Sequence, residues 1–144
     1  MLRFEVIINK KFYLMKSTQY IKIAGGFSFF FFLFHIPFYW ILGWKQTLSC
    51  LNPDDWAIVM CFNIISIALL FLMGFVSLFQ AEDVATTKLG KSFLIFSAWF
   101  YYFRIVAEFV FFNEPNWIIS AFIIVLCLVP GVLYSLPLFF HKKS

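Results

Sequence analysis

Apolar windows of about twenty residues recur along this chain, the length an α-helix needs to cross about 30 Å of hydrocarbon at 1.5 Å per residue. They predict helices over about residues 20–44, 56–79, 91–112 and 117–140. Of 144 residues, 63% are hydrophobic and only 12% charged, whereas a soluble domain is about half apolar and a quarter charged. A water-facing fold has nowhere to hide that excess. The expected fold is therefore an all-α integral membrane protein, a four-transmembrane-helix antiparallel bundle over residues 19–144. Residues 1–18 precede it as a basic N-terminal segment on the cytoplasmic side, with Phe4, Phe12, Tyr13 and Leu14 suited to the headgroup level.

The net charge of +4 does not point to nucleic acid, because the basic residues are sorted by membrane side. Arg3, Lys10, Lys11, Lys16, Lys22, Lys88, Lys91, Lys142 and Lys143 fall on the side of the termini, Lys45 alone falls on the other, and Arg104 lies inside a span. By the positive-inside rule both termini are cytoplasmic in a plasma (inner) membrane, and the loops near residues 45–56 and 113–116 face outward. The run from Ile23 to Leu42 is too long for a signal peptide, and no small-residue cleavage site follows it.

In the first helix, Pro37 cannot donate a backbone hydrogen bond, which frees the carbonyl of Leu33 and predicts a kink beside His35. The outer loop ends in Asn52-Pro53-Asp54-Asp55, which reads as an N-cap, a first-turn proline and two acids favoured by the helix dipole. Asn63, Ser66, Leu70, Gly74 and Ser77 then form a stripe at helical spacing, the kind that lets membrane helices approach closely. Residues 80–91 form a short polar connection, predicting that the second and third helices are antiparallel neighbours. A tight turn is expected at Asn113-Glu114-Pro115-Asn116. Beyond it, Pro130 and Pro137 predict a bent or irregular cytoplasmic half for the last helix, whose Ser120, Cys127, Gly131 and Tyr134 share one side.

The third window, SFLIFSAWFYYFRIVAEFVFF, carries Arg104 and Glu108. A charge near the bilayer centre costs about 2.5–3.5 kcal/mol on insertion scales, so both residues require partners inside the protein. With helices centred near residues 33, 68, 102 and 128, the helical rise puts His35 and Arg104 about 3 Å to the outer side of the midplane. It puts Asn63 about 7–8 Å, Glu108 about 9 Å and Ser120 about 12 Å out. Glu108 follows Arg104 by four residues and so shares its face, and Tyr101 continues that face one turn inward. The candidate binding residues are thus His35, Asn63, Tyr101, Arg104, Glu108 and Ser120. They form a polar pocket opening outward, in which Arg104 offers a planar fork to an anionic or carbonyl group and His35 or Glu108 exchanges a proton. The competing explanation is packing, with the ion pair neutralising itself and His35 and Asn63 bonding across helices.

No Cys-x-x-Cys, glycine-rich phosphate loop, H-E-x-x-H or G-x-S-x-G occurs, which removes the usual supports for hydrolytic and phosphoryl-transfer chemistry. No cofactor is expected: His35 is the only intramembrane histidine, His141 sits at the opposite end, and the Cys and His residues lie at depths that cannot converge on a metal. Cys50 and Cys61 read as small residues rather than as a disulfide framework. The leading expectation is a non-enzymatic binding, sensing or accessory module in contact with the lipid bilayer, acting on a hydrophobic small molecule, a lipid or a partner membrane protein. The alternative is a homo-oligomeric, proton-coupled transporter or pore working through Glu108; a membrane enzyme or quinone-linked redox subunit comes third. In length and four-helix layout the chain resembles small multidrug-resistance exporters, which work through a membrane glutamate. Here Glu108 lies in the third helix beside an arginine rather than in the first, and no family assignment follows.

Overall fold

The computed structural model describes the backbone of residues 2–111 and 117–140 and the side chains of 12–111 and 117–139. The turn expected at 113–116 and the terminal His141 lie outside the described residues. Within them the chain is all-helical, with no strand: α1 (Leu2–His35), α2 (Phe38–Ile41), α3 (Trp44–Thr47), α4 (Pro53–Phe79), α5 (Ala81–Thr86), α6 (Lys88–Phe111) and α7 (Trp117–Phe140). Three helices are long and apolar enough to cross a membrane, namely Pro53–Phe79, Lys88–Phe111 and Trp117–Phe139. Large apolar side chains such as Phe62, Trp99, Phe109 and Ile118 are more than half exposed on them, which fits a membrane protein and not a water-facing bundle.

The first predicted span differs from its expected form. α1 runs unbroken through the basic N-terminal residues and stops at His35, where Ile36 and Pro37 form a turn. Pro37 does more than kink the helix: Trp40 and Ile41 return their backbone N–H groups to the Pro37 carbonyl and start α2 afresh. The apolar helical stretch from Ile23 to Phe34 is consequently only about 18 Å long at 1.5 Å per residue, short of the hydrocarbon thickness. Proline acts differently in α7, where the helix continues through Pro130 and Pro137. Both rings are fully buried, so neighbouring helices hold the segment straight enough to stay helical where isolation would break it.

The start of α4 follows its capping chemistry. Asn52 Oδ1 accepts the backbone N–H of Asp55 at 2.9 Å, Pro53 occupies the first turn, and the Asn52 amide donates to Asp55 Oδ2 at 2.6 Å. From there α4 packs on α1 and touches α5, while α1 packs also on α7, and α7 on α6. α4 and α6 are not the packed neighbours that a short connection predicts. The connection folds into α5, whose buried Ala81, Val84 and Ala85 dock it under α1 and carry the chain across to the far side.

α1 and α4 cross through small residues. A Cβ added to Gly25 would lie 2.6 Å from the Ser77 Cβ, and one added to Gly74 would lie 3.0 Å from the Phe29 backbone nitrogen. Backbones this close leave no room for larger side chains, which is how helices associate where no hydrophobic drive separates protein from lipid. The core beside this crossing contains Ile21, Ala24, Leu70, Met73, Leu94, Tyr101 and Tyr134, each nearly or wholly buried.

Candidate functional site

Two polar centres lie at different heights in the bundle. The first ties all four long helices together through hydroxyl groups. Ser28 Oγ of α1 lies 3.2 Å from the Ala24 carbonyl, 2.9 Å from Tyr101 Oη of α6 and 3.0 Å from Tyr134 Oη of α7. Tyr134 Oη also lies 2.9 Å from Ser77 Oγ of α4. Proton accounting orients this cluster. A carbonyl only accepts, so Ser28 must donate to Ala24; Tyr101 and Tyr134 then both donate to Ser28, and Ser77 donates to Tyr134. Every proton is used. Because two donors converge on Ser28 and its own proton ends on a backbone carbonyl, the cluster is a tie between helices and not a wire for protons.

The second centre lies toward the end of the bundle where α1 stops, called here the distal end. Arg104 Nη1 donates to Glu108 Oε2 at 2.8 Å, and Ser120 Oγ of α7 donates to Glu108 Oε1 at 2.8 Å. Glu108 is buried at 4% exposure, whereas the Arg104 side chain is 37% exposed. The carboxylate is thus engaged on both oxygens inside the α6–α7 interface and holds the guanidinium at its edge. Cys127, two turns along α7 from Ser120, is buried within electrostatic reach of both charges.

His35 closes α1, half-buried and within electrostatic reach of Arg104. Its Nδ1 lies 2.8 Å from the Phe31 carbonyl, and its ring stacks on Phe38 with centroids 4.3 Å apart. The carbonyl again fixes the tautomer: in the neutral imidazole the proton is on Nδ1, and Nε2 keeps its lone pair.

Of the candidate residues, Arg104, Glu108 and Ser120 form one hydrogen-bonded group, and His35 lies within electrostatic reach of its arginine. Tyr101 belongs instead to the hydroxyl cluster: its side chain leans inward toward α1, with its ring 6.0 Å from Phe31. Asn63 sits on α4, which does not pack against α6, and its half-buried side chain makes no hydrogen bond among the described residues. The hydroxyl cluster was not expected from the sequence as a set. Ser77 and Tyr134 were legible only as stripe positions, and Ser28 is masked by its phenylalanines; the spacing shared by Gly25-x-x-Ser28 and Gly74-x-x-Ser77 is the signal that pairs them. Among the described residues no group of three or more His, Cys, Asp or Glu could hold a metal ion, and Cys50, Cys61 and Cys127 are free thiols.

Comparison with models of known protein families, with curated proteins and with solved structures finds no match. The functional reading accordingly rests on the chemistry of this chain's own side chains.

Proposed function

We propose that this chain is a polytopic inner-membrane protein that crosses four times, with both termini in the cytoplasm and the distal end in the outer leaflet. In this reading α1 with the short α2 supplies the fourth crossing, and the sorting of lysines sets the orientation. Its function is to bind a hydrophobic molecule carrying one polar group, as a sensing or accessory module. The observation that carries this is the asymmetry of the ion pair. Glu108 is buried and doubly bonded, while the Arg104 side chain it anchors is more than a third exposed. A pair serving only to neutralise itself gains nothing by holding its cation at the boundary, and apolar replacements of such pairs are often harmless. A fixed fork at a lipid-facing edge is suited to orienting a polar head while apolar walls take the tail. The transport alternative is less well supported, since taking up a proton on either oxygen of Glu108 disturbs a charge-assisted hydrogen bond of 2.8 Å at each cycle.

The test is native mass spectrometry of protein extracted in a mild detergent. Wild type is expected to retain a bound lipid or small molecule that Arg104→Ala loses, with Glu108→Gln intermediate because it weakens the anchor without removing the fork. Wild-type protein that emerges empty, or an Arg104→Ala variant retaining the same molecule at the same occupancy, overturns the reading.

A further inference from the structure

At the end of the bundle opposite to Arg104, α1 and the α4–α5 junction border an open cavity of about 220 Å³, lined by the polar side chains of Lys22, Gln80, Glu82 and Asp83 and by Leu78 and Phe79. The crossing of α1 and α4 explains why it forms. At Gly25 the two helices are in close contact, an added Cβ lying 2.6 Å from Ser77 and 3.3 Å from Leu78. Just past that contact α4 ends at Phe79, and the chain turns through Gln80 into α5, which docks through the buried Ala81. The helices part there. Lys22, three residues before Gly25 on α1, consequently borders the same space as the two carboxylates of α5.

Although they share one cavity, no ion pair joins Lys22 to Glu82 or Asp83, and none of the three side chains has a hydrogen-bond partner among the described residues. One cation and two carboxylates thus face a common space without neutralising one another. The depth of that space is set by α4, whose 27 residues extend about 40 Å at about 1.5 Å each, the thickness of a bilayer with its headgroup regions included. Its last residue therefore lies at headgroup level, with the Phe79 ring exposed beside the cavity. The volume is below the about 300–1,000 Å³ of sites that enclose a drug-sized ligand, so the cavity has room for a polar head and leaves acyl chains outside, against Phe79 and its neighbours.

We propose that this cavity is a headgroup site for a zwitterionic phospholipid with a primary ammonium, of the phosphatidylethanolamine class, Lys22 pairing with the phosphate and Glu82 and Asp83 accepting from the ammonium. The charges select the class. A choline head has no N–H to donate to the carboxylates, and a glycerol head brings a phosphate with no cation to answer them. The site is separate from the distal one and requires only that α4 crosses the membrane, so it stands or falls independently of the binding reading proposed above.

The experiment titrates dioleoyl phosphatidylethanolamine, phosphatidylcholine and phosphatidylglycerol into delipidated full-length protein in detergent, read by native mass spectrometry. Wild type is expected to bind the ethanolamine lipid about fivefold more tightly than either of the others, the effect of directed hydrogen bonds at a partly hydrated site. Glu82→Gln combined with Asp83→Asn, at two exposed positions, is expected to reduce that preference to less than about twofold, whereas Lys22→Gln weakens all three lipids and leaves the ethanolamine-to-choline ratio unchanged. Equal binding of the ethanolamine and choline lipids by wild type, a preference for phosphatidylglycerol, or an undiminished preference in the carboxylate variant overturns the proposal. Soluble glycerophosphoethanolamine at the lipid's concentration is expected to displace nothing; displacement assigns the cavity to a water-soluble zwitterion and overturns the lipid assignment. Arg104→Ala is expected to keep the ethanolamine preference intact, and its loss in that variant would put the lipid at the distal end and overturn this site while leaving the distal reading standing.

Discussion

The hydroxyl cluster makes a ranked prediction, because its members differ in how many links each holds and in what each leaves behind when removed. Ser28 holds three, to Ala24, Tyr101 and Tyr134; Tyr134 holds two; Tyr101 holds one. Interhelical hydrogen bonds in membrane bundles contribute about 0.6 kcal/mol on average and up to about 1.7, and a stranded buried polar group adds about 1–3 kcal/mol. Tyr101→Phe removes a single donor and strands nothing, so it should cost about 0.5–1 kcal/mol. Tyr134→Phe breaks two links, but the Ser77 hydroxyl can turn to the carbonyl one helical turn back, which holds the cost to about 1–2 kcal/mol. Ser28→Ala removes two interhelical links and strands the Tyr101 proton, whereas Tyr134 can turn its own to Ser77 Oγ, and should cost about 2–4 kcal/mol. Reversible unfolding of the purified protein in mixed micelles would read all three. The reasoning is refuted if Tyr101→Phe is as damaging as Ser28→Ala, since the proton orientation derived from the Ala24 carbonyl would then be wrong.

The α1–α4 crossing gives a matched pair: Gly25→Ala forces a methyl to within 2.6 Å of the Ser77 Cβ and should destabilise by about 1–3 kcal/mol, whereas Gly26→Ala meets nothing within 4 Å and should stabilise by about 0.5–1 kcal/mol. Equal effects in the same unfolding assay would mean the crossing is not tight. The buried Ser97 Oγ has no hydrogen-bond partner among the described residues, so Ser97→Ala should raise stability by about 1 kcal/mol; a loss would reveal a partner for that hydroxyl. In the proposed orientation the exposed Cys50 faces outward, and a membrane-impermeant maleimide should label it on intact spheroplasts and fail to do so after Cys50→Ser. Labelling that appears only after permeabilisation inverts the topology.

What could be foreseen from the sequence was whatever a single helix decides by itself. The cap at Asn52 and the Arg104–Glu108 contact depend on spacing within one element, and the helical period supplies both. Ser120 could be matched to Glu108 from depth alone, because two helices crossing the same layer present residues at calculable heights. Relations among helices were harder to foresee. Nothing in QAEDVATTKLGK announces that it will fold into α5 and separate α4 from α6, since that depends on α5 finding the surfaces of α1 and α6. Proline was the other obstacle: the same residue ends α1 at position 37 and is absorbed in α7 at 130 and 137. The difference lies in packing. Pro130 and Pro137 are fully buried, while Pro37 is only half-buried and less packing holds the chain on course there.

That break links the two polar centres. Proximal to it, α1 lies among three other helices, every hydroxyl of the Ser28 cluster is matched, and the backbones are too close at Gly25 and Gly74 to admit a guest. Distal to it the face of α4 that continues from Leu70 through Ile67, Ser66 and Asn63 is only half-covered. A continuous path across the protein would require Ser28 to release both tyrosines at once, which the saturated cluster opposes, and for that reason a receptor that holds its ligand agrees better with this geometry than a pore that conducts it.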